Sequence, residues 1–158
     1  MNVKSKILIG IGKSGFEILK DFEKLGVNNQ KLCLSEKVNS TSSIKVYGNI
    51  RELVETLNSE MEVFLLGGLG GTTSKLFLAL LLDILSTKNV DFQGTFFLPF
   101  RFEGNKRRII AKEIIFKASK YQSLRFLELS EITKNLRNEP ISIAFFYCSE
   151  VVFDHFKN

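Results

Sequence analysis

Apolar residues along this chain come in two rhythms, short unbroken runs and runs spaced by three and four. The alternation between them predicts strands and helices in turn. Residues 6–9 form a continuous apolar strand, and 16–25 place Phe16, Leu19, Phe22 and Leu25 on one helical face, ended by Gly26. A second strand follows at 31–34, a polar turn at 39–43 and a short strand at 44–47. The next helix spans 50–57, with Leu53, Val54 and Leu57 inward. The run 62–66 reads as a strand buried on both faces. Residues 75–85 are apolar nearly all round, as in a helix covered on most sides. The strand 94–98 ends at Pro99. Ile110, Ile114, Ala118 and Tyr121 share one face of a helix over 105–121, and 125–129 closes the strand series.

Strands alternating with helices predict an α/β fold: three layers around a doubly wound, mainly parallel sheet, with ligands at the carboxyl ends of the strands. The 158 residues, 44% of them hydrophobic, fit a single domain over 1–158 with a substantial core. The run 63–85 is apolar enough for a membrane span, but central glycines and threonines, with Lys75 and Asp83, break it. No integral membrane segment is expected. The amino-terminal residues 1–4 enter a strand without a signal-peptide core, so a cytoplasmic location is expected.

Charge adds little, because 22 basic against 17 acidic residues leave a net +5 that identifies no ligand. The run Lys106-Arg107-Arg108, with Lys112, Lys117 and Lys120, reads as a solvated helix face, and no nucleic-acid partner is expected. Cys33 and Cys148 both lie in apolar runs and are expected as reduced core residues. His155 is the only histidine, which excludes a histidine-rich metal site and a serine triad built on another histidine. Neither cysteine has metal-knuckle spacing, so no structural metal is expected.

The candidate chemistry lies in two glycine-rich turns, each between a strand and a helix: Gly10-Ile11-Gly12-Lys13-Ser14-Gly15 and Gly67-Gly68-Leu69-Gly70-Gly71-Thr72-Thr73-Ser74. Such turns bring backbone N–H groups close to an anion, with the helix dipole favouring negative charge. Lys13 either pairs with a phosphate there or faces water. Taken alone, the first turn fits G-x-G-x-x-G, and Glu36 follows Gly15 by 21 positions, near where an acid would meet a ribose. That supports an NAD(P)-binding Rossmann domain of an oxidoreductase. A P-loop is excluded, since its first glycine would fall at Ile7.

The second turn, together with Pro99-Phe100-Arg101-Phe102-Glu103-Gly104-Asn105-Lys106-Arg107, resembles the FtsZ/tubulin family over about 6–156. That family carries a glycine-rich first loop, a G-G-G-T-G-T-G signature and P-F-x-F-E-G-x-x-R. The resemblance implies a tubulin/FtsZ GTPase-domain fold that is Rossmann-like, and GTP or GDP as the ligand. It implies phosphate contacts from Gly10, Gly12, Ser14, Gly15, Gly68, Gly70, Gly71, Thr72 and Thr73, and ribose contacts from Glu103 and Arg107. Ala144-Phe145-Phe146-Tyr147-Cys148-Ser149 matches A-F-x-x-A-D, so Phe145 would stack on the guanine and Ser149 would replace the base-reading residue. A central helix over about 140–157 would begin at Pro140. Ile141, Ile143, Phe145 and Tyr147 also alternate as an edge strand does.

Departures from the family pattern shape the functional expectation. The signature's third glycine is Thr72, Thr73 is kept, and Ser74-Lys75-Leu76 follow. Tyr47-Gly48-Asn49 stands where a terminal-phosphate loop would be, and Lys13, Ser14 and Phe16 replace residues of the first loop. The family's second domain, with the acidic loop that completes a neighbouring subunit's GTPase site, is expected to be absent. That would leave an apolar face on the central helix. The expectation is a degenerate FtsZ-like protein of the cell-division cytoskeleton. It would bind guanine nucleotide without hydrolysing it alone, and would act by association with FtsZ-type filaments or itself. A GTPase fragment completed by a partner chain and the NAD(P)-binding domain are the alternatives.

Overall fold

A computed structural model describes residues 4–136 and 138–157; of the amino-terminal run only Lys4 lies among them. Six strands form one sheet in the order β3-β2-β1-β4-β5-β6, every neighbouring pair parallel. They are β1 (Ser5–Ile11), β2 (Lys31–Leu34), β3 (Ile44–Tyr47), β4 (Met61–Gly68), β5 (Asp91–Leu98) and β6 (Leu124–Glu128). The principal helices are α1 (Gly12–Lys24), α2 (Ile50–Glu55), α3 (Ala79–Thr87), α4 (Asn105–Ala118), the short α5 (Leu129–Ile132) and α6 (Ile141–Lys157). A π-helical turn, Ser74–Leu78, leads into α3, and a 3₁₀ turn, Arg101–Glu103, precedes α4.

Period-two alternation divides the strand side chains between two cores. Ile7, Ile9 and Ile11 of β1 join Val63 and Leu65 of β4 under α2, α3 and α4. Leu8, Phe64 and Leu66 face the opposite way, under α1 and α6. Both faces of the central strands are therefore apolar, which explains the unbroken runs in the sequence. Burying these side chains contributes roughly 25 cal/mol per Å² of apolar surface removed from water.

Helix α1 buries Phe16, Ile18, Leu19 and Phe22 and stops where Gly26 takes a φ of +85°. Asn49 starts α2, its Oδ1 accepting the Arg51 N–H at 2.8 Å. Residues 141–147 are helical, so their alternation is not that of an edge strand. Both cysteines are buried as free thiols, and desolvation pushes each up to about 12. No helix among the described residues is long and apolar enough to cross a membrane. These residues also hold no cluster of three or more His, Cys, Asp or Glu suited to a metal.

Candidate functional site

Both glycine turns lie at the carboxyl ends of adjacent strands, β1 and β4, so they meet at one rim of the sheet. Gly12 opens α1 with a φ of +74°, and Thr73 Cβ lies 3.6 Å from where a Gly12 side-chain carbon would stand. The turns are latched together. Ser14 Oγ accepts the Gly68 N–H at 2.8 Å, and the buried Ser74 hydroxyl donates to the Gly68 carbonyl at 2.7 Å.

Glycine serves different purposes within this rim. Gly10 and Gly15 are where β1 and α1 touch: a Cβ on Gly15 would lie 2.7 Å from the Gly10 carbonyl carbon, and one on Gly10 2.8 Å from that of Gly15. No side chain fits such a backbone-to-backbone approach. Gly70, at a φ of +91°, would meet the Arg107 carbonyl at 2.8 Å, so the second turn packs beneath the start of α4. Gly71 has nothing within 4 Å of its Cβ position and no positive φ. Thr72 beside it is exposed, as is Lys13.

The segment after β5 closes the rim. Glu103 Oε2 accepts the Phe100 N–H at 2.6 Å, the Phe100 carbonyl accepts the Glu103 N–H at 3.0 Å, and Arg107 Nη1 lies 3.7 Å from Glu103 Oε1. Glu103 thus ties the 3₁₀ turn to itself and to the first turn of α4. The arginine that anchors the segment is Arg108, which the sequence reading placed on a solvated helix face but which is part-buried and engaged. Its Nη1 donates to the Pro99 carbonyl at 2.7 Å, and its guanidinium forks onto Glu128 at 3.1 and 2.9 Å. The hydrogen bonds from Arg108 hold the Glu128 carboxyl below its usual range. Helical phase carried the signal, since Arg108 lies three residues before the buried Ala111 and so on the sheet-facing side of α4.

Phe145 is 48% exposed on α6, its ring edge-on to Phe100 at 5.6 Å, while Phe102, 71% exposed, stacks on Phe100 at 4.9 Å. Contacts therefore run from the first turn through the second and the 3₁₀ turn to Phe145. Two candidates lie outside this chain of contacts. Glu36 is exposed beyond β2, with Cγ 4.0 Å from the Gly48 Cβ position. Ser149 is 1% exposed, and its hydroxyl donates to Asp21 Oδ2 of α1 at 2.6 Å. That hydroxyl fastens α6 to α1, and no feature of the sequence near Asp21 announced its partner.

No family model matches the sequence, and neither does any curated protein. Solved structures do match. An FtsZ dimer in its empty state from M. jannaschii superposes with a TM-score of 0.78 at 18% identity, over 96% of this chain and 53% of that one. This chain has the FtsZ/tubulin GTPase-domain fold. A point mutant of the M. jannaschii FtsZ gives a TM-score of 0.77 at 19% identity, over 98% of this chain and 55% of that one. CetZ from Methanosaeta thermophila gives 0.72 at 14% identity, over 95% of this chain and 52% of its own. The chain spans about half the length of each of these FtsZ and CetZ chains.

Proposed function

We propose that this chain is an FtsZ-like subunit whose rim takes up a guanine nucleotide, GTP or GDP, without hydrolysing it unaided. Its role is association, with FtsZ-type filaments or with copies of itself. One observation carries the reading: the two glycine turns face a common rim, yet are latched to each other by Ser14 on Gly68. A strand-to-helix glycine turn holds phosphate through free backbone N–H groups, and the latch engages one of them. Glu103 is likewise occupied by the Phe100 N–H. Hydrolysis requires a positioned water and charge stabilisation around the transferring phosphoryl group. Rim groups turned inward serve neither need.

Gly71 favours retained binding. It is a rim glycine that neither a close contact nor a positive φ demands, and a side chain added there would meet nothing within 4 Å. Phe102 and Phe145 stand exposed on either side of Phe100 in the rim segment and supply apolar contact surface for a partner. The strand order here is shared with dinucleotide-binding folds, so the nicotinamide reading makes its own prediction.

A thermal-shift panel with phosphate-release measurements tests the proposal. GDP and GTP are expected to raise Tm by an amount growing with ligand concentration, with phosphate release at background. Stabilisation by NAD(H) or NADP(H) instead would establish the dinucleotide reading. Steady GTP hydrolysis by the chain alone overturns the non-hydrolysing role. Hydrolysis that starts only when an FtsZ is added supports the fragment completed by a partner.

A further inference from the structure

The large exposed apolar side chains fall into two groups on opposite layers of the fold. One lies at the rim and along α6. The other comprises Leu76 and Leu80 beside Ile109 and Phe116 of α4. Phe116 is 81% exposed and Ile109 56%, and seven residues, or two turns, separate them on the side of α4 opposite the buried Ala111, Ile114 and Ala118. The stripe Leu76, Leu80, Asp83 runs beside α4, because Asp83 reaches Tyr121 Oη at 2.5 Å and Lys120 Nζ at 3.1 Å just past the end of that helix.

Charge on α4 itself is predominantly basic. Lys106, Lys112 and Lys117 are exposed on the outward face of α4, and among the described residues none of them makes a salt bridge. Their neighbours do: Arg107 sits against Glu103, and Lys120 against Asp83. Glu113 is the acid on the face, and Lys75 adds a further exposed cation next to Leu76. Ile109, Lys112, Glu113, Phe116 and Lys117 border one shallow hollow, so they form a continuous surface.

We propose that the outward face of α4 docks onto a membrane surface rich in anionic phospholipid. Charge complementarity selects this occupant. Unpaired lysines bordering protruding Ile109 and Phe116 match a bilayer boundary, where the cations meet headgroup phosphates and the apolar side chains enter the acyl margin. Lysine stems lie along apolar surface while their ammonium groups reach the headgroups. The hollow is shallow and open rather than a deep groove, which suits a bilayer surface better than a bound peptide. It lies on the layer opposite α1 and α6, so docking leaves the first glycine turn and Phe145 free, and the inference does not rest on nucleotide binding.

Vesicle flotation of the full chain tests the proposal, with phosphatidylglycerol-containing and pure phosphatidylcholine vesicles as the two arms. The protein is expected to float with the anionic vesicles alone, and to be released by high salt. Phe116→Ser should lower partitioning about tenfold, and Lys112→Glu with Lys117→Glu by more than that, from the apolar and charge contributions at an interface. Phe116→Trp should report insertion by a blue-shifted emission on anionic vesicles. Circular dichroism identifies any variant that fails to fold, in which case Ile109→Ser replaces Phe116→Ser. Absence of flotation, equal flotation with neutral vesicles, or anionic binding unmoved by the apolar variants overturns the proposal. So does a nucleic-acid duplex that displaces the chain from vesicles and binds Phe116→Ser as well as wild type.

Discussion

The two glycine turns occupy equivalent places at the ends of neighbouring strands, but their glycines answer to different constraints. In the first turn, Gly10 and Gly15 are pressed together where β1 meets α1, and a methyl on either would strike backbone at 2.7–2.8 Å. In the second, Gly67 and Gly70 are similarly confined, whereas Gly71 faces open space at an ordinary φ. A confined glycine is explained by packing and says nothing about ligands. Gly71 has no such explanation, and it is therefore the position at which packing and ligand binding can be separated by substitution.

The largest effect is expected at the confined site. Gly15→Ala should cost about 2 kcal/mol or more, because backbone on both sides cannot yield. Urea unfolding should show a lower midpoint with an unchanged m-value. Gly10→Ala should behave alike, and the double variant should be less than additive, since the two positions share one contact.

A smaller loss is expected where the rim is braced from the side. Glu128→Gln breaks the fork from Arg108 and loosens the Pro99 end of the rim segment, so both Tm and the GDP-induced shift should fall. The pH dependence has a definite sign. Because Glu128 titrates below its ordinary value in the fold, its contribution is present above about pH 4.5 and lost as pH falls through the lowered folded value. On acidification, wild type should therefore lose more of its Tm than Glu128→Gln does. Equal acid sensitivity would remove the pair from the account.

The latch offers a gain of binding. Ser14→Gly frees the Gly68 N–H and should enlarge the GDP-induced rise in Tm several-fold, while lowering unliganded stability by about 1–2 kcal/mol, for one lost hydrogen bond and a glycine placed inside α1. A GDP response no larger than that of wild type would show that the latch does not limit binding.

The fold was largely legible in the sequence because a doubly covered parallel sheet writes its strands as continuous apolar runs. The segments 6–9, 31–34 and 62–66 all lie within strands. The meeting of the two turns was legible too, since both follow strands that a doubly wound order places side by side. Contacts between distant side chains were not. Ser14 reaches Gly68 across 54 residues, and Ser149 reaches Asp21 across 128, with nothing local to mark either pair. Arg108 was hidden by the neighbouring Arg107, the position the family motif singles out, although helical phase assigned it to the inner side. The π-helical turn at Ser74–Leu78 left no periodic trace, because five residues are too few to distinguish its period from that of an α-helix.

The comparison of glycines comes to its sharpest point in one experiment, the melting temperature of Gly71→Ala beside wild type, each without and with millimolar GDP. Unliganded stability should agree within about 0.5 kcal/mol, since the new methyl enters empty space. The GDP-induced rise should shrink markedly in the variant. A rise of equal size in both proteins, or no rise in either, would contradict a nucleotide seated over the open second turn.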